Sequence, residues 1–265
     1  MSFSVLMSVY IKEKPIYLSE CLDSLVKQSL KPCEIILVED GPLTDDLNKV
    51  IVFYSKILPI KSIRIEKNQG LAHALNEGLK HCSQELVARM DTDDISLFNR
   101  FECQVSYMLS HPDVQVSSCW IEERNQNMTE TLFLKKLPLR HEDILKFSKR
   151  RNPISHPASI FRKTRVMSVG GYPEIFPEDY ALWSLMLVKG CRFGNLQETL
   201  LHMRTGSDFI KRRGFGFFKG ELKLLKYQNK IGFLNKFEVC LNFLIRAAVR
   251  LSPSKMREFF YKFAR

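Results

Sequence analysis

Within residues 3–90 the chain alternates four times between a short apolar run and a segment of helical spacing. The runs are residues 3–10, 34–38, 63–65 and 86–90. They are apolar throughout rather than at every second position, which is how strands buried on both faces read. Between them, residues 15–30 open on Pro15 and carry Ile16, Leu18, Cys21, Leu22, Leu25 and Val26 at helical spacing. Residues 44–57 open on Thr44, a good N-cap, and residues 71–81 have an alanine-bearing face. This alternation predicts a parallel sheet covered on both faces by helices.

In such sheets ligands bind beyond the carboxyl ends of the strands. The chain sets its polar landmarks there: Ser8 and Tyr10, Glu39 and Asp40, Asn68, then Asp91 and Asp93. The last pair belongs to Arg89-Met90-Asp91-Thr92-Asp93-Asp94. Three carboxylates in four positions repel one another by roughly 1 kcal/mol or more per pair at surface-like dielectric. A hard divalent cation relieves such a cluster, and oxygen ligands suit Mg²⁺ or Mn²⁺; the plain alternative is a solvated acidic turn. The glycine signatures of dinucleotide and P-loop cradles are absent. Phosphate charge is therefore left to a metal and to basic side chains.

After a helix expected over 97–109 the alternation breaks. Residues 114–119 and 131–134 read as strands, 141–147 as a short helix, 153–161 as a loop entering a strand, and 170–173 as a turn. Residues 179–188 have helical spacing, and 193–203 read as a last strand or two. Antiparallel additions to the sheet, building an acceptor side, are the expectation. The domain expectation is a catalytic unit over 1–214, with a nucleotide half at 1–109 and an acceptor half at 110–214, then a basic helical region at 215–265.

Charge singles out the end of the chain. Residues 204–265 hold 15 Lys and Arg against Asp208, Glu221, Glu238 and Glu258, which accounts for the whole net charge of +11. Aromatic and leucine faces bordered by Lys and Arg suit an anionic membrane interface; the alternative is a pair of helices packed on the rest with a solvated basic face. No nucleic-acid recognition motif accompanies the charge, so no nucleic-acid partner is expected. The seven cysteines are scattered without a C-x-x-C pair, as free thiols of a reducing compartment are. No signal-peptide layout and no membrane-length apolar run is present. The expectation is a cytoplasmic protein, peripheral on the inner face of the cell membrane.

Taken together, the landmarks resemble the family 2 glycosyltransferases, whose nucleotide-sugar-binding fold is called GT-A. Residues 4–10 resemble the family's opening strand, and Val38-Glu39-Asp40-Gly41 its Val-Asp-Asp-Gly turn with Glu for the first Asp. Asn68-Gln69-Gly70 with the helix after it resembles the family's Asn-x-Gly-leading helix. Asp91-Thr92-Asp93-Asp94 is similar to its Asp-x-Asp metal motif, and Glu178-Asp179-Tyr180 with Trp183 to its Glu-Asp base motif. The resemblance implies an inverting, metal-dependent transfer of a hexose from a UDP-sugar, UDP-galactose or UDP-glucose foremost. The acceptor it implies is a lipid-linked glycan of the undecaprenyl diphosphate type, in O-antigen or capsule synthesis.

The resemblance assigns Asp91 to the ribose or sugar, Asp93 to the metal bridging the diphosphate, and Asp179 to the base that deprotonates the acceptor. Asp40 is suited to accept from the uracil imide, and Tyr10 to pack on the base. Alternatives stay open: Glu178 as base with Asp179 its orienter or a helix cap, and Asp94 as cap or ligand. Arg89 is either a partner of the carboxylates or a sugar contact, and His156 either an acceptor contact or structural. His202 is a weaker candidate ligand. Arg212, within Lys211-Arg212-Arg213, is either a lid over the diphosphate or a solvated charge run. The rival functions are a nucleotidyltransferase and a non-catalytic nucleotide-sugar or glycan binder.

Overall fold

The computed structural model describes residues 2–206 and 214–252. The first half runs β1 (Ser4–Val9), α1 (Pro15–Val26), β2 (Glu34–Asp40), α2 (Asp45–Tyr54), β3 (Ile60–Ile65), α3 (Leu71–His81) and β4 (Leu86–Arg89). A two-residue strand β5 (Ile95–Ser96) and α4 (Arg100–Ser110) follow. The second half runs β6 (Val114–Arg124), β7 (Thr131–Lys135), α5 (His141–Ser148), β8 (Ile160–Arg162), α6 (Lys163–Ser168), α7 (Glu178–Val188) and β9 (Arg192–Arg204). Two helices, α8 (Phe215–Lys230) and α9 (Lys236–Arg250), complete the described chain.

The described strands form one sheet in the order β3-β2-β1-β4-β8-β6-β9-β5, with β7 on the side of β6. β1 pairs in parallel with β2 and β4, and β2 with β3. β8 then lies antiparallel between β4 and β6, while β6 and β9 run parallel over their length. The fold is thus a mostly parallel sheet with antiparallel additions.

Successive side chains of a strand point to opposite faces, so the continuous apolar runs feed two cores. Val5, Met7, Ile35, Leu37 and Ala88 meet α1, α2 and α4 on one face. Leu6, Ile36, Val38 and Val87 meet α3 and α7 on the other. Gly78 lets α3 lie close to the sheet, since a Cβ there would stand 2.4 Å from Leu6 Cδ1 and 2.7 Å from Val38 Cγ2.

Several elements depart from the sequence expectation. The helix expected from Leu97 starts at Arg100, because Ile95 and Ser96 pair with β9 instead and the Leu97 amide donates to Leu200 O at 3.0 Å. β3 is longer than its apolar core, because an edge strand tolerates Lys61 and Arg64 facing solvent. β6 continues to Arg124 because β9 pairs with it all the way.

The described C-terminal helices pack on the sheet domain. Leu224 joins Tyr180 and Ala181 of α7, and Leu225, Phe233 and Leu234 enter the α3/α7 core beside Trp183. Gln228 Nε2 donates to Ser184 Oγ at 2.8 Å, and Asn242 Nδ2 to Lys149 O at 2.9 Å. α9 is braced on α8 by Arg250, whose guanidinium donates to both oxygens of buried Glu221 at 2.8 and 3.1 Å.

Candidate active site

The order β3-β2-β1-β4 places the reversal of winding between β1 and β4. Ligands enter open parallel sheets at such a point. A cleft of about 1080 Å³ opens there, lined by Ser8, Tyr10, Asp40, Asn68, Asp91 and Asp93 among others. Glu39 stands apart from the cleft. Its neighbour across the ladder is Arg64, and the two pair at 3.1 Å, so the strand's alternation turns Glu39 away as it turns Asp40 in. Arg212, with the rest of the expected basic lid, lies outside the described residues.

Two loops predicted as separate motifs form one unit. Asp40 Oδ1 accepts the Gln69 N–H at 2.8 Å, Oδ2 accepts the Gly70 N–H at 3.0 Å, and Asn68 Nδ2 donates to Asp40 O at 3.1 Å. The closure requires Gly41 at φ +86°, where a Cβ would stand 2.8 Å from the Asn68 nitrogen. Each carboxylate oxygen of Asp40 keeps a further lone pair for a ligand.

The acidic cluster divides by burial. Buried Arg89 forms an ion pair with Asp91 and is held through its carbonyl by Arg100 Nη2 at 2.6 Å. Its Nε and Nη1 have no partner among the described residues. Asp93 is pushed up to about 7, by burial first and then by the charges of Asp91 and Glu13. Asp94 is buried and accepts the Arg204 N–H at 2.8 Å on Oδ1, and burial raises its carboxyl well above the usual range. It does not cap α4, whose N-cap position is Asn99.

Arg204, at the end of β9, draws these pieces together. Its Nε donates to Asp93 O at 2.9 Å, its Nη2 to Glu20 Oε2 at 2.5 Å, and its guanidinium stacks over Tyr17 at 4.0 Å. Glu13 in turn accepts from Thr92 Oγ1 at 2.5 Å. Lys12 and Lys14 line the same cleft and supply the positive charge that a phosphate needs. The sequence reading missed Arg204, Glu13 and the two lysines as site residues.

The second pair of carboxyls comes from the first turn of α7. Glu178 and Asp179 are both partly buried, and Pro177 rather than Asp179 holds the N-cap position. Asn152 Nδ2 donates to Asp179 Oδ2 at 2.5 Å, while its Oδ1 accepts the Ile154 N–H at 3.2 Å. Glu178 is pushed up to about 7 by burial and by Asp179, and burial raises Asp179 too. The charge of Asp91 contributes to both shifts, though neither Glu178 nor Asp179 lines the cleft, which reaches this segment at Phe176. His156 is buried, with Nε2 3.1 Å from Tyr172 Oη, and His202 lies 3.4 Å from Glu122; neither lines the cleft.

Among the described residues no three His, Cys, Asp or Glu side chains form a metal cage. Mg²⁺ and Mn²⁺ need none where substrate phosphates and water complete the shell around one or two carboxylates. The like charges that raise Asp93 are those a divalent ion relieves, so Asp93 with Asp91 beside it fits such an ion.

A mostly parallel sheet with an Asp-x-Asp turn at its switch point and a helix-borne carboxyl pair beside it defines a GT-A glycosyltransferase. The chain belongs to glycosyl transferase family 2, whose family model matches residues 4–167. It is 42% identical to the Escherichia coli UDP-Gal:alpha-D-GlcNAc-diphosphoundecaprenol beta-1,3-galactosyltransferase, over 98% of this chain and 95% of that one. It is 43% identical to the amylovoran biosynthesis glycosyltransferase AmsE of Erwinia amylovora, over 98% of each. Among solved structures, S. aureus TarS 1-349 in complex with UDP-GlcNAc aligns with a TM-score of 0.69 at 18% identity, covering 93% of this chain and 72% of that one. A Pyrobaculum calidifontis mannosyltransferase in complex with GDP-Man and Mn²⁺ aligns at 0.66 and 15%, covering 99% and 79%. The protein is an enzyme, and family membership displaces both rival functions.

Proposed function

We propose that the enzyme transfers a hexose, galactose foremost, from its UDP-sugar to a lipid-linked glycan acceptor, with inversion at the anomeric carbon. The observation that carries this reading is the cleft at the switch point, which gathers Asp40, Asn68, Asp91 and Asp93 with Lys12, Lys14 and Arg204. The names of its relatives supply the substrates: a 42% identical one takes UDP-Gal and an α-D-GlcNAc-diphosphoundecaprenol acceptor.

Tyr10, Asp40 and Asn68 are the uridine contacts in this reading. Asp91, which lines the cleft and is ion-paired to buried Arg89, meets the donor sugar. Lys12, Lys14 and Arg204 face the diphosphate, and Asp93 holds Mn²⁺ or Mg²⁺ beside it. When bound, the ion supplies Lewis-acid stabilisation of the leaving diphosphate. Asp179, aligned by Asn152, takes the proton of the acceptor hydroxyl as that oxygen bonds to the anomeric carbon and the bond to UDP breaks. A carboxyl raised above its ordinary range, here by burial, is a better base than a solvated one.

The acceptor's lipid is met at a membrane surface. On α9 the buried residues are polar, Asn242 and Arg246, while Phe237, Leu244, Ile245 and Leu251 are exposed, Phe237 by 76% and Leu244 by 57%. Together with Leu241 and Ala248 these make an apolar stripe at helical spacing, turned away from the domain. On α8, Lys219, Lys223, Lys226 and Lys230 are exposed at the same spacing. An apolar stripe beside a lysine stripe fits an anionic bilayer at the inner face of the membrane. No helix among the described residues is long and apolar enough to cross it.

The deciding assay offers UDP-Gal, UDP-Glc, UDP-GlcNAc and UDP-GalNAc with Mn²⁺ to the purified enzyme, with and without a GlcNAc-diphosphate-lipid acceptor. Acceptor-dependent UDP release from UDP-Gal is the expected result. No acceptor-dependent release from any donor would refute the reading.

A further inference from the structure

Phe176 is 47% exposed and lines the cleft three residues before Asp179. A large aromatic side chain in the wall of a polar site is there either to fill space or to meet a ligand. Filling is excluded by its exposure. It is also backed too closely to withdraw: Phe217 of α8 lies edge-on at 5.0 Å. A Cβ at Gly220 would stand 2.5 Å from Phe176 Cδ1 and 3.2 Å from Phe176 O. Phe217 is itself covered by the Arg250 guanidinium at 4.6 Å, and Arg250 is fixed on Glu221. The ring is thus held from behind by the C-terminal helix pair, and its uncovered part is what the cleft receives.

We infer that Phe176 is the floor of the acceptor subsite, on which the pyranose ring of the receiving sugar lies. Aromatic faces carry negative quadrupole charge, and the axial C–H hydrogens of a pyranose present a weakly positive, apolar face that matches it. A sugar lying flat there turns its hydroxyl rim towards the carboxyl pair that follows in the chain, where Asp179 takes the proton. The uracil, the other π ligand of the site, is assigned to Tyr10 and Asp40 at the far strand ends. The same helix pair that grips Phe176 carries the exposed apolar stripe of α9. The subsite and the proposed membrane face are therefore built on one element, as an acceptor whose lipid stays in the bilayer requires. This inference rests on the lipid-linked acceptor reading given above.

The test measures initial rates with UDP-galactose, Mn²⁺ and an α-GlcNAc diphosphate carrying an undecyl tail. Phe176→Ala should raise the acceptor KM by about tenfold or more while the donor KM moves by less than about twofold. Phe176→Trp, which keeps a π face, should retain a low acceptor KM. Phe176→Leu, which keeps apolar volume without the π face, should behave as the alanine variant and covers the case in which that one does not fold. Gly220→Ala, pushing on the ring from α8, should raise the acceptor KM without touching the cleft. An acceptor KM unchanged in Phe176→Ala or Phe176→Leu, or donor and acceptor KM rising together, would overturn the subsite. A wild-type enzyme that hydrolyses UDP-galactose yet never galactosylates this probe would instead sink the acceptor reading beneath it.

Discussion

The side-chain amide of Asn152 donates to Asp179 Oδ2 at 2.5 Å, and the other end of that amide is fixed on the Ile154 N–H at 3.2 Å. The bond favours the charged form of a carboxyl that burial otherwise raises. Asn152 thus positions the proposed base and limits how far its affinity for a proton rises. Asn152→Ala removes that restraint. The acid limb of its kcat profile should move to higher pH, because the rate requires the deprotonated carboxylate. Loss of rate at neutral pH should be partly recovered in alkaline buffer. A uniform loss at every pH would make Asn152 merely structural.

Asp179→Asn tests the base itself. Removing a general base costs typically 10²- to 10⁴-fold in kcat, whereas UDP affinity measured by calorimetry should stay close to that of the wild type. Glu178→Gln should cost less and should leave the acid limb close to its wild-type position, because the charge of Asp179 raises Glu178 whereas burial is what raises Asp179. A larger rate loss for Glu178→Gln than for Asp179→Asn would exchange the two roles.

The nucleotide half of this site is legible in the chain because its residues sit at strand ends, and strand ends are readable from local apolar runs. Asp40, Asn68, Asp91 and Asp93 needed only the alternation and the switch-point rule. Arg204 was not legible: it contacts Asp93 across 111 positions of sequence, and a basic residue ending a strand has no local signature. Asn152 reaches Asp179 over 27 positions from an irregular loop, where neither period nor cap marks it. Glu39 failed for the opposite reason. Its motif is local, but the strand's two-residue alternation gives it to Arg64. The apolar and basic residues of 236–250 do not show by themselves which face is buried, since that depends on Glu221 of the neighbouring helix drawing Arg246 and Arg250 inward.

Arg204 fastens the acidic turn to β9 through Asp93 O at 2.9 Å and its own N–H to Asp94 at 2.8 Å. Arg204→Ala leaves buried acceptors unpaired and should cost about 2–4 kcal/mol of stability, read as a lowered denaturant midpoint. The apparent affinities for Mn²⁺ and UDP-sugar should weaken together, since Asp93 loses its anchor. Arg204→Lys should not restore them, because an ammonium cannot reproduce a planar fork bonded on three sides. Asp93→Asn, in contrast, should weaken Mn²⁺-dependent UDP binding with little change in the midpoint. Chelation of the wild type by EDTA should abolish transfer.

The membrane reading calls for point variants rather than truncation, because removing residues 216–265 would strip Leu224, Leu225, Phe233 and Leu234 from the core. Leu244→Glu with Ile245→Glu changes only exposed positions, so thermal stability should stay within about 0.5 kcal/mol of the wild type. Two buried charges are far costlier in a bilayer than two leucine-like side chains, so co-sedimentation with phosphatidylglycerol vesicles should be lost. Lys223→Glu with Lys226→Glu should weaken binding less, and only at low ionic strength, as screened surface attraction does. Activity on a short-chain soluble acceptor should survive all four substitutions, while activity on acceptor embedded in vesicles should fall with the binding. Vesicle binding unchanged by the α9 pair would move the membrane contact elsewhere on the protein and leave the exposed stripe without a role.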